Sequence, residues 1–108
     1  MSLKRLAEAM DPLPRELSLA QEHYLVKRPK LLMVLYLLLN DYDLDRIVTD
    51  YCIDRPEGVL LLRELERLGV IEHRPGDRVR LQVSRHLTWR RDGPIRELIN
   101  GRVLREFL

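Results

Sequence analysis

The stretch from Leu65 to Val83, LERLGVIEHRPGDRVRLQV, constrains the fold more than any other part of this chain. Its first residues read as the last turn of a helix, and Gly69 can take the left-handed backbone angle at which helices commonly end. Val70-Ile71-Glu72-His73 then reads as a short strand. In Arg74-Pro75-Gly76-Asp77 proline presets φ, glycine accepts a positive φ and aspartate can bond its own backbone, so the segment reads as a turn. The return strand alternates, with Val79, Leu81 and Val83 on one face and Arg78, Arg80 and Gln82 on the other. A helix that runs straight into a hairpin with an arginine-bearing outer face is the closing part of a winged helix.

The elements upstream fit that order. Asp43 can cap a helix with Leu44, Ile47, Val48 and Tyr51 as its apolar stripe. After a tight connection at Cys52-Ile53, Asp54-Arg55-Pro56-Glu57 joins an Asp cap, a first-turn proline and a Glu three residues on, a strong helix start. That helix is expected to reach Leu68 with Leu61, Leu65 and Leu68 facing the core, while Val59, Leu60 and Leu62 exceed one core face. Helix, turn, longer helix and hairpin is the order of a winged helix-turn-helix. The fold class expected is therefore mostly α with a small β-hairpin.

Before this motif, Ser18-Leu19-Ala20-Gln21 is a capping box opening a helix to about Val26. Pro29 suits a first helical turn, and Lys30 to Leu39 is a helix apolar on every side, hence buried all round; a second subunit is one way to cover it. Met1 to Met10 reads as a short helix that Asp11-Pro12-Leu13-Pro14 breaks. The division expected is a partial helix and linker over 1–14 and a winged-helix domain over 15–108. Beyond the hairpin, Ser84 to Asp92 is irregular and basic; Trp89 within it could stack on a base or a partner, although a lone tryptophan more often anchors a loop to the core. Gly93-Pro94 opens a last helix with Ile95, Leu98, Ile99 and Val103 at helical spacing.

A chain of 108 residues suffices for one domain with its own core. Its longest apolar run, Leu31 to Leu39, is nine residues, against the roughly 18–20 that a membrane span needs. One cysteine cannot form an internal disulfide, which fits a reducing, cytoplasmic setting. Charge is unevenly spread: residues 73–108 hold nine arginines against four acids, a net of +5, and residues 1–72 hold ten basic and thirteen acidic groups, a net of −3. The electrostatic footprint thus belongs to the hairpin and the residues beyond it.

Most candidate chemistry fails on spacing. Asp41, Asp43 and Asp45 open like a calcium loop, but Arg46 stands where glycine is needed and Cys52 where a bidentate Glu is needed. His23, His73 and His86 are scattered without paired-ligand spacing, so no metal site is expected. Cys52 reads as a small core residue. Neither a phosphate loop nor a nucleophile elbow is present, so neither catalysis nor a cofactor is expected.

What remains is arginine. Arg74, Arg78 and Arg80 on the hairpin, with Arg55 and Arg63 on the helix before it, are the candidate DNA-binding residues. The helix itself weakens a sequence-reading role. Glu57, Glu64 and Glu66 offset Arg55, Arg63 and Arg67, and it offers no Ser, Thr, Asn or Gln to base edges. Asn40 to Glu57, with six acids and two arginines, would repel phosphates. The alternative is a dimerisation or protein-interaction module working through the Lys30–Leu39 helix or the surplus leucines.

Several segments together resemble the C-terminal part of bacterial XRE-family (lambda-repressor-like) transcriptional regulators, over about Leu3 to Leu108. They are Leu17-Ser18-Leu19-Ala20-Gln21-Glu22, Leu68-Gly69-Val70-Ile71-Glu72, Gly76-Asp77-Arg78-Val79-Arg80-Leu81, Trp89-Arg90, Gly93-Pro94-Ile95 and Glu106-Phe107-Leu108. The resemblance implies that a helix-turn-helix domain reading DNA sequence would precede this one, with Leu3 to Met10 as its last helix. The present region would then dimerise, add phosphate contacts through its hairpin, or sense an effector. Asp77 departs from the family, which often has asparagine there, and lowers the positive charge of the turn.

Overall fold

The computed structural model describes residues 13–98. Five helices and one hairpin run in the order α1 (Leu19–Val26), α2 (Pro29–Leu39), α3 (Leu44–Asp50), α4 (Arg55–Leu68), β1 (Ile71–Arg74), β2 (Arg78–Leu81) and α5 (Pro94–Leu98). The described part is mostly helical with a two-stranded antiparallel hairpin. The expected helix at Met1 to Met10 and the positions Ile99 and Val103 lie outside the described residues.

Local sequence sets the helix ends. The Ser18 capping box closes in both directions, with Gln21 N–H donating to Ser18 Oγ and Ser18 N–H donating to Gln21 Oε1. Asp43 accepts from Arg46 N–H and Asp54 from Glu57 N–H, each such cap contributing about 1 kcal/mol. Gly69 ends α4 at φ 88°, where a Cβ would be strained.

The core is one cluster fed by every helix and by the hairpin. At its middle, α2 meets α1 and α4; α1 also packs on α5, and α4 on α3 and β1. Leu31, Leu35, Ile47, Leu62 and Leu65 are sealed within it. Cutting any of these to alanine would cost about 2–5 kcal/mol. Two expectations change here. Leu62 belongs to the core rather than to a surplus surface, leaving Leu60 as the outward leucine at 63% exposure. Helix α2 is not buried all round, because Tyr36 is more than half exposed; Leu31, Leu32, Val34, Leu35, Leu37 and Leu38 are buried within the chain.

The connection between α3 and α4 brings a third correction. Cys52 is exposed, with φ 53°. The tight turn requires a left-handed residue there, and that geometry turns the side chain out while Ile53 enters the core. The start of the described residues is held by backbone bonds as well. Ser84 N–H donates to Pro14 C=O and Thr88 N–H to Arg15 C=O, both at 2.8 Å. Residues 14–16 are thereby pinned beside the segment after the hairpin.

Candidate nucleic-acid interface

The hairpin register pairs Ile71 with Leu81, Glu72 with Arg80, His73 with Val79 and Arg74 with Arg78. Opposed residues share a face, so Glu72, Arg74, Arg78, Arg80 and Gln82 lie outside, and Ile71, His73, Val79 and Leu81 lie inside. The turn needs left-handed backbone at both Gly76 (φ 77°) and Asp77 (φ 57°), and aspartate is among the few other residues that tolerate it.

Two clasps fix the hairpin on α4. The His73 N–H donates to Glu66 Oε2 at 2.7 Å, closing the outer edge of β1. At the turn, Asp77 Oδ1 lies 3.0 Å from His73 Nε2, and Asp77 Oδ2 accepts from Arg55 at 3.2 Å. Arg55 also pairs with Asp45 on α3, and these two acids keep its guanidinium more firmly protonated than usual, Asp45 contributing most. Asp77 is therefore a tether, a role that a count of turn charges does not reveal.

The five candidate arginines separate into two groups. Arg55 is held by Asp45 and Asp77, and Arg74 donates to Glu72 at 3.1 Å. Arg63, Arg78 and Arg80 are exposed and form no ion pair with any described residue.

The acids that weigh against phosphate binding are all engaged. On one flank of α4, Glu57 accepts from Lys30 at 2.9 Å, and Glu64 accepts from Arg28 at 2.5 Å and Tyr24 at 2.6 Å. On the other flank, Glu66 holds β1. The outward stripe of α4, running through Pro56, Leu60, Arg63 and Arg67, is left without an acid. In the acidic stretch before it, Asp41 pairs with Arg85, Asp45 with Arg55 and Asp50 with Arg46, while Asp43 and Asp54 cap helices. Trp89 packs partly buried against the core.

Sequence reading missed one buried acid elsewhere in the domain. Glu22 is fully buried, accepting from Arg90 N–H at 3.0 Å and Ile95 N–H at 3.4 Å. It caps α5, whose Gly93-Pro94 opening supplies no side-chain cap. The one signal available was that missing cap. Arg90 extends the same junction to Glu16 and Asp92, and its hydrogen bond holds the Asp92 carboxyl below the ordinary value.

Among the described residues no cluster of acids, histidines or cysteine is arranged to hold a metal ion, and no helix is long and apolar enough to cross a membrane. No family model, curated protein or solved structure matches the chain.

Proposed function

We propose that this region is a winged-helix module of a transcriptional regulator that grips the DNA backbone through Arg63, Arg78 and Arg80. The observation that carries the reading is the division of charge at this surface: these arginines are exposed without ion-pair partners among the described residues, while the neighbouring acids are engaged as caps, in ion pairs or, for Glu66, by a backbone N–H of β1. Arg63 lies one turn before Glu66, on the edge of the outward stripe nearest the hairpin. A helix and a wing presenting cations on adjoining outer faces can straddle a phosphate backbone. Arg55 then acts mainly by holding the hairpin in place, and Arg74 is occupied by Glu72 on its own strand.

No side chain on the outward stripe of α4 suits bidentate base recognition except the two arginines. The proposed binding is accordingly sequence-tolerant, with specificity supplied elsewhere in the regulator, as the resemblance to XRE-family proteins implies. Titration of a labelled 20-base-pair duplex against wild type and the Arg63→Ala, Arg78→Ala and Arg80→Ala variants tests the reading. Each variant should weaken binding of all duplexes alike. Variants that bind as wild type does would overturn it.

A further inference from the structure

Among the described residues, one edge of the hairpin is met by a side chain and the other is not. In an antiparallel ladder, bonded and non-bonded pairs alternate. Gln82 N–H donates to Val70 C=O at 2.8 Å, so with this register the 70/82, 72/80 and 74/78 pairs carry the ladder. Val79 and Leu81 consequently direct their backbone N–H and C=O groups away from β1. The same parity points His73 N–H outward on β1, where Glu66 meets it. On β2 no described residue meets Val79 or Leu81 in this way.

A groove of about 600 Å³ runs along that open edge. Val79 and Leu81 give it an apolar side, and Arg78 and Arg80 line it as cations without an ion pair among the described residues, beside Arg85, which pairs with Asp41. Among the described residues no acid and no Phe, Tyr or Trp lines it. We infer that the open edge of β2 is a docking site for an acidic, extended peptide segment of a partner protein, taken up as a third strand.

Each feature selects for this occupant. Unpaired backbone groups on a strand edge recognise another polypeptide backbone. The arginine rim attracts carboxylates and discourages a purely apolar strand, which would desolvate the guanidinium groups. A second copy of β2 would set arginines against arginines across the new ladder. Single-stranded nucleic acid, the other anionic polymer, binds chiefly by stacking bases on aromatic rings, and the groove offers no Phe, Tyr or Trp for that purpose. The four-residue strand offers few backbone bonds, so the rim must supply much of the attraction and binding should weaken with salt.

The test uses the full chain and a seven-residue peptide alternating glutamate and valine, followed by fluorescence anisotropy and amide hydrogen exchange. Binding should slow exchange at Val79 and Leu81 by tenfold or more. Two further peptides, N-methylated at alternate positions of opposite parity, should differ in affinity by at least tenfold, because one edge alone of the added strand faces β2. Arg78→Glu combined with Arg80→Glu should lose tenfold while the hairpin amide shifts persist, and a lysine–valine peptide should not bind. No binding of the glutamate–valine peptide, or equal binding of both methylated forms, would overturn the proposal. Protection of Val79 and Leu81 by a single-stranded oligonucleotide but not by the peptide would overturn it in favour of nucleic acid. Arg63 lies outside this groove, so duplex binding scored on Arg63→Ala stands or falls separately.

Discussion

Arg55, the second residue past the buried Ile53, holds Asp77 at the hairpin turn across twenty-two positions of sequence, its guanidinium donating to Oδ2 at 3.2 Å. The other Asp77 oxygen is engaged by His73 at 3.0 Å. One carboxylate thus fixes the hairpin to the start of α4, in a backbone conformation that few residues accept. The orientation of Arg78 and Arg80 depends on it.

Asp77→Ala should remove both contacts and strain the left-handed position. The pair with Arg55 is partly exposed and screened, so the loss should be modest, about 1–2 kcal/mol. Hydrogen exchange should quicken across 71–81 while α1 and α2 keep their protection. Asp77→Asn, which tolerates the same backbone, should fall between. Uniform loosening of the whole domain in Asp77→Ala would show that the tether is not local.

The junction of α1 and α5 should be less forgiving. A Cβ at Gly93 would come within 2.2 Å of Glu22 Oε1, so Gly93→Ala should destabilise by about 1–3 kcal/mol. Glu22→Ala would leave two backbone N–H groups unpaired beside a cavity, at about 2–4 kcal/mol. Urea denaturation measures both. Wild-type stability in Glu22→Ala would remove the capping role assigned to this carboxylate.

At the turn between α3 and α4, Cys52→Gly should relieve the left-handed strain. Glycine also loosens the unfolded chain, so the net gain should be about 0.5–1 kcal/mol. The exposed thiol should react with a disulfide reagent in the folded protein about as fast as in the unfolded chain. A buried, slow-reacting thiol would contradict the outward placement.

Acid should act on Asp92. Its carboxyl is held below the ordinary value of 3.8, chiefly by the Arg90 hydrogen bond. A depressed folded value means the contribution is complete above the unfolded value and is lost as pH falls through the folded one. An NMR titration should place the Asp92 midpoint below 3.8, and Arg90→Gln should move it upward. A midpoint unmoved by Arg90→Gln would refute the assigned cause.

Local signals made most of the fold legible in the sequence. The Ser18 capping box, the Asp43 and Asp54 caps, the Gly69 stop and the alternation at Val79, Arg80 and Leu81 are set by residues within one turn or strand, and the structure has them where the pattern puts them. Partnerships across long separations were not legible. Glu57, Glu64 and Glu66 read as charges cancelling the arginines of their own helix, yet each reaches a different partner in space. Asp77 and Glu22 were hidden for the same reason, since their partners lie 22 and up to 73 positions away. Cys52 was misread because a lone small residue carries no sign of its φ.

The most direct test is the salt dependence of duplex binding by wild type and by a variant with Arg63, Arg78 and Arg80 all replaced by alanine. Each phosphate that the protein no longer neutralises should reduce the slope of log K against log salt by about 0.9. The slope should be shallower by about 2.7 in the triple variant, with affinity falling equally for unrelated duplex sequences. An unchanged slope would contradict it.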